Sequence, residues 1–164
     1  MNKKYDVVVW GASGFTGRLV CEYIFKEYTT KGSDLKWAMA GRDHIKLKQI
    51  REKFADNTIP ILIADSDDTA SLNDLTKNTK VVCTTVGPYA KYGSKLVKAC
   101  INNKAHYCDL AGEVQWMHDM INKHHDSAQK NEVKIVHTCG FDSIPSDMGV
   151  YFINRELKKK NLAI

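Results

Sequence analysis

The chain has 164 residues, 43% hydrophobic and 26% charged, which suits one globular domain with a real core and excludes a disordered or fibrous class. No apolar run approaches the ~20 residues needed to cross a bilayer. The net charge of +5 is spread along the chain; its densest run, Lys158-Lys159-Lys160, reads as a solvated helix end rather than a nucleic-acid footprint.

The first strand is predicted at Asp6–Trp10; before it, Met1 to Asp6 carries charge without an apolar core or cleavage site, so no signal peptide is expected. The strand runs directly into Gly11-Ala12-Ser13-Gly14-Phe15-Thr16-Gly17. Gly11 lets the chain turn off the strand, Gly14 lets backbone approach a pyrophosphate, and Gly17 lets the next helix lie close to the sheet. Free N–H groups and the dipole of that helix would face the anion. The spacing is three and three rather than the commoner two and three, and the strand and helix around it carry the reading. Phe15, Leu19, Tyr23 and Ile24 recur at helical spacing and are expected to form the buried face of the helix.

A second strand, Lys36–Ala40, ends in Ala40-Gly41-Arg42-Asp43. An NAD site would place an acid at this strand tip to hold the ribose hydroxyls. Here Arg42 offers a guanidinium suited to a 2′-phosphate, so NADP is expected ahead of NAD. Asp43 reads as the N-cap of a helix carrying Leu47, Ile50 and Phe54. After the third strand, Pro60–Ala64, Asp65 is either an adenine-side contact or a loop aspartate. A short helix carries Leu72 and Leu75. The fourth strand, Lys80–Thr85, leads into Val86-Gly87-Pro88, placed by position at the nicotinamide-side ribose, although Gly-Pro also suits a plain turn.

Leu96, Val97, Cys100 and Ile101 mark the next helix, and His106–Asp109 the fifth strand. A long helix follows with Val114, Met117, Met120, Ile121, His124 and Ala128, then a sixth strand at Lys134–Thr138. The loops Asp109–Glu113 and Cys139–Asp147 lie at carboxyl ends of strands, where open α/β sheets bind ligands. Their acids, thiol and hydroxyls face a substrate or, alternatively, Glu113, Ser146 and Asp147 cap helices. The last helix is expected to start near Ser146–Asp147; its Tyr151, Phe152 and Leu157 call for cover by further chain, a partner or a second copy. His118, His124 and His125 share one helix without a metal-binding pattern, and no metal is expected. Cys21, Cys83, Cys100, Cys108 and Cys139 are odd in number and lack a C-x-x-C pair, so they read as buried free thiols of a reducing, cytoplasmic compartment.

Six strand–helix units in alternation predict an α/β fold, a doubly wound parallel sheet of the NAD(P)-binding Rossmann type with strand order 3-2-1-4-5-6, spanning 1–164 as one domain.

Four stretches also resemble a known family: Tyr5–Arg18 with its glycine loop, Ala40-Gly41-Arg42, Thr84–Tyr89, and Cys139-Gly140-Phe141-Asp142-Ser143-Ile144-Pro145-Ser146-Asp147. Together they resemble the saccharopine dehydrogenase-like oxidoreductases, a group that includes trans-acting enoyl reductases. The resemblance implies an NADP-binding front domain followed by a larger substrate-binding part. Hydride transfer to an unidentified, in some members lipid-related, substrate is implied too. It also implies lipid-droplet, peripheral membrane or mitochondrial association for some members. Two functions stay open: the front part of an oxidoreductase whose general acid cannot be named from these residues, or a non-catalytic dinucleotide-binding module or truncated isoform.

Overall fold

The computed structural model describes residues 3–54 and 56–162. Met1 and Asn2, part of the start read above for a leader, lie outside the described residues.

Strands β1 (Tyr5–Trp10), β2 (Trp37–Gly41), β3 (Ile61–Ile63), β4 (Thr79–Thr84), β5 (His106–Cys108) and β6 (Ile135–Val136) form one sheet. Its order is β3-β2-β1-β4-β5-β6, and every pairing is parallel. Between them lie helices α1 (Phe15–Ile24), α2 (His44–Glu52), α3 (Thr69–Lys77), α4 (Tyr89–Tyr92), α5 (Ser94–Asn102) and α6 (Val114–Lys130); α7 (Ile144–Lys159) follows β6. The doubly wound arrangement expected from the alternation is therefore observed.

Successive strand residues point to opposite faces, and each face has its own core. Val8, Ala38, Val82 and Tyr107 pack with Leu72, Leu75, Leu96 and Met120 under α3, α5 and α6. Val9, Trp37 and Met39 pack with Cys21, Leu47 and Ile50 under α1 and α2. Burial of each large aliphatic or aromatic side chain contributes about 1.5–3 kcal/mol, so these two layers hold the sheet.

Several expectations need correction. The Phe15/Leu19/Tyr23 stripe of α1 is exposed, with Phe15 75% accessible; the buried side is Gly17, Cys21 and Ile24. The cause is Gly17 itself: a Cβ there would stand 2.0 Å from Gly11 O and 2.9 Å from Ala12 Cα. The helix rests on the loop through its smallest residue, which turns the large residues outward, Phe15 and Leu19 into a groove shared with Ile50 and Phe54. In α6, Val114 and Ile121 are exposed, while Trp116, absent from the expected face, is buried. The sixth strand is shorter than the five residues expected. α1 continues into a π-helical turn, Phe25–Thr29. α7 begins two residues earlier than expected and carries no buried residue among those described. Only Cys21 and Cys100 are buried; Cys83 and Cys108 are half-buried and Cys139 is exposed.

Candidate functional site

The crevice lies at the carboxyl ends of β1, β2, β3 and β4, where the strand order reverses. It encloses about 450 Å³ and is lined by Gly11, Ser13, Gly14, Arg42, Asp65, Val86, Gly87 and Pro88 from the expected set. Four other expected residues do not line it. Ala12 is buried, its N–H donating to Ala40 O at 3.1 Å, and Gly17 is buried beneath the turn. Phe15 and Thr16 lie in the first turn of α1, with the Phe15 ring in the groove toward α2. These residues shape the loop, or offer backbone, rather than wall the crevice. Tyr92, Ser66, Asp67 and Thr85 line it unforeseen; Tyr92 comes from the short α4, which has no hydrophobic periodicity to announce it.

Local chemistry explains the loop. Gly11 has φ +86°, a conformation that favours glycine, and a Cβ there would meet Val86 Cγ2 at 2.6 Å. Gly11 O then accepts from Gly14 N–H at 2.9 Å. At Gly14, the N-cap of α1, a Cβ would meet a single neighbour, Gly11 O at 3.3 Å, a tight but not prohibitive contact. No side chain caps α1, which leaves the first-turn N–H groups free for an acceptor from outside. An uncapped helix start behind a glycine that lines the crevice without a side chain is what a pyrophosphate requires, so these residues fit a dinucleotide.

Arg42 is exposed at the crevice mouth and makes no ion pair among the described residues. Asp43 is engaged as the cap of α2, accepting from Lys46 N–H at 3.0 Å. That bond first, and the Lys46 charge after it, hold its carboxyl below the ordinary range. Asp65 lines the crevice and accepts from Asp67 N–H at 2.8 Å, which makes it a structural residue of its loop.

The loops after β5 and β6 are tied to the crevice by two carboxylates. Asp109 is 2% accessible, which removes it from the groups able to face a substrate. Its Oδ1 accepts from Ala111 N–H and Thr138 N–H, each at 3.0 Å; its Oδ2 accepts from Tyr107 Oη at 2.8 Å and lies 2.7 Å from His137 Nδ1. Burial alone would raise the Asp109 carboxyl, but hydrogen bonds from His137, Ala111 and Tyr107 outweigh it and hold it below the ordinary value. Glu113 precedes α6 but does not cap it. Its carboxylate instead accepts from Tyr89 N–H at 2.6 Å and Ala90 N–H at 2.8 Å, capping α4 directly after Gly87-Pro88. The Tyr89 ring stacks on Trp116 at 5.6 Å, and burial pushes its hydroxyl up to about 12. The exposed Cys139 thiol is pushed up by burial, then by Cys108 and Asp109, so it is not primed as a nucleophile. Sequence reading missed His137, Trp116 and Tyr89; a histidine just after the last strand and an acid just after the neighbouring one carry no spacing signal.

The family described as saccharopine dehydrogenase NADP-binding domain has a profile that matches residues 7–136. Among curated relatives, a lipid droplet localized protein of Caenorhabditis elegans is 40% identical over 158 residues, 93% of this chain and 37% of that protein. The human saccharopine dehydrogenase-like oxidoreductase is 39% identical over 165 residues, 94% of this chain and 38% of that protein. The chain thus spans well under half the length of these relatives. Among solved structures, the apo saccharopine dehydrogenase (L-Glu forming) of Saccharomyces cerevisiae superposes with a TM-score of 0.68 at 17% identity, over 84% of this chain and 28% of that one. That likeness is one of fold.

Proposed function

Since the chain belongs to the saccharopine dehydrogenase NADP-binding domain family, we propose that it is the cofactor-holding part of an NADP-dependent oxidoreductase and that the crevice above β1 and β4 is where the cofactor sits. NADP is the cofactor of the family, and it supplies the hydride chemistry when bound. The chain's own contribution is binding and orientation. The Gly14 N-cap and first-turn N–H groups of α1 receive the pyrophosphate. Arg42 receives the 2′-phosphate; its guanidinium, without an ion pair among the described residues, beside an engaged Asp43 is the observation that carries this assignment. Asp65 stands at the adenine end, and Val86-Gly87-Pro88 lies along the nicotinamide-side ribose, held by the Glu113 cap on α4.

Hydride transfer to a small-molecule or lipid substrate would then occur beyond the loops after β5 and β6. Their Asp109 clamp orders one wall of that space. The exposed apolar residues of α7, and Phe141 in the loop before it at 88%, favour further structure over this wall, contributed by a longer chain or a second copy. No helix among the described residues is long and apolar enough to cross a membrane. The lipid-droplet name of one relative favours lipid droplets over mitochondria as the place to look.

The test is cofactor discrimination by Arg42→Ala. Charge-assisted hydrogen bonds contribute about 1.5–3 kcal/mol, so NADPH should bind roughly 10- to 150-fold more weakly. NADH affinity should stay as it was. Equal losses for both cofactors, or none, would remove Arg42 from the site.

A further inference from the structure

A groove open to solvent runs between α1 and α2 and encloses about 440 Å³, within the range of small-molecule sites. Its floor is Phe25, Ile50 and Phe54, buried or half-buried against the core beneath the two helices. The Phe25 and Phe54 rings stack at 5.1 Å with 30° between their planes. Phe15 and Leu19 form the α1 wall and stay exposed, because the seating of Gly17 turns that stripe outward. Five large apolar side chains thus meet around one depression in contact with water, which a solvated helix face does not need and a binding surface does.

The rim carries the polar groups, and their charges do not cancel. Lys26 and Glu22 pair at 2.7 Å and neutralise each other. Arg18 and Lys53 remain, both exposed and without an ion pair among the described residues, and no second acid lines the groove. We propose that this groove binds a single-chain anionic amphiphile, its hydrocarbon chain along the aromatic floor and its head group in the field of Arg18 and Lys53. A neutral chain would leave both cations unanswered, and a cationic one would meet repulsion. A bilayer surface fits less well: the floor is recessed, and two unpaired cations are fewer than the four or more that recognise anionic lipid. The groove shares no residue with the dinucleotide crevice, so the proposal stands apart from the cofactor assignment.

The probe is decanoate, titrated calorimetrically below its micellar concentration. Saturable binding is expected, about threefold tighter than that of 1-decanol, with decyltrimethylammonium weaker than both. The double variant Arg18→Gln, Lys53→Gln should bind decanoate no better than 1-decanol while its affinity for 1-decanol stays at the parent value. Leu19→Gln should weaken both ligands by about fivefold, through lost apolar contact. All three positions are exposed, so the unfolding midpoint should hold; should the double variant not fold, the head-group series and Leu19→Gln decide. Absence of saturable decanoate binding overturns the proposal, as does equal affinity for decanoate and 1-decanol in the parent or a Leu19→Gln variant that binds normally. A double variant that keeps the preference for decanoate would place the anion elsewhere and overturn it too. Binding to phosphatidylglycerol vesicles without binding to monomeric decanoate would make the face a membrane surface, with the same consequence.

Discussion

Replacing Gly17 by alanine sets two physical effects of opposite sign against each other. Gly17 lies in the third position of α1, and helix propensity alone favours alanine there by about 1 kcal/mol. The surroundings say otherwise. The new Cβ would stand 2.0 Å from Gly11 O, 2.7 Å from Gly11 C and 2.9 Å from Ala12 Cα. Ordinary carbon–oxygen contacts begin near 3.3 Å, so the helix and the turn must part by more than about 1 Å. All three atoms are backbone, and Gly11 is itself pinned by N–H donation to Ala40 O at 3.0 Å, so neither side yields cheaply. Overpacking costs about 1–3 kcal/mol or more, and a clash with backbone on both sides belongs at or above the upper end, which exceeds the propensity gain by about 2 kcal/mol. A net loss of about 2 kcal/mol in a chain of this size lowers the unfolding midpoint by roughly 4–8 °C. Calorimetric or circular-dichroism melting of the apo protein is the assay, with Gly14→Ala as the control because a Cβ there meets nothing closer than 3.3 Å. A Gly17→Ala variant that melts at or above the parent would refute the close-packing account of the loop.

Three further outcomes follow from the same geometry. Gly14→Val should largely keep the fold, since φ at Gly14 is −75° and Gly11 O, 3.3 Å from the new Cβ, need give by only a few tenths of an ångström, yet abolish NADPH binding by filling the pyrophosphate's place; a folded variant with unchanged affinity would show that the loop does not hold the cofactor. Glu113→Ala should cost about 1–2 kcal/mol as two N–H groups of α4 lose their cap, and should weaken NADPH through the Val86–Pro88 loop, with Glu113→Gln in between; NADPH titration beside urea unfolding checks both. Asp109→Asn should destabilise by about 1–3 kcal/mol near neutral pH. Because the fold lowers the Asp109 pKa, its ionised form contributes stability above about pH 4, and that contribution is lost as pH falls through the folded value. The gap between parent and variant in urea unfolding should therefore shrink on acidification below about pH 4; a gap independent of pH would disprove the clamp's ionised state.

The sequence by itself determined the sheet and half of the crevice. Six apolar strands alternating with helices admit few connected topologies, and right-handed crossovers leave the observed order as the natural one. Gly11, Gly14, Arg42 and Val86-Gly87-Pro88 were legible because each sits immediately after a strand, where chain position alone fixes spatial position. Asp43 was legible as a cap because capping acts over three residues.

What reached across the chain was decided only by tertiary structure. The outward turn of Phe15, Leu19 and Tyr23 follows from how closely Gly17 approaches Gly11 O, a distance that periodicity does not encode. Glu113 serves α4, whose first residue lies 24 positions earlier, rather than the helix it precedes. His137 meets Asp109 from 28 residues away because β5 and β6 pair in parallel, with Cys108 opposite Val136. Local rules govern backbone groups a few residues apart; a side chain reaching a neighbouring strand answers to register, and register is set by the packed sheet as a whole.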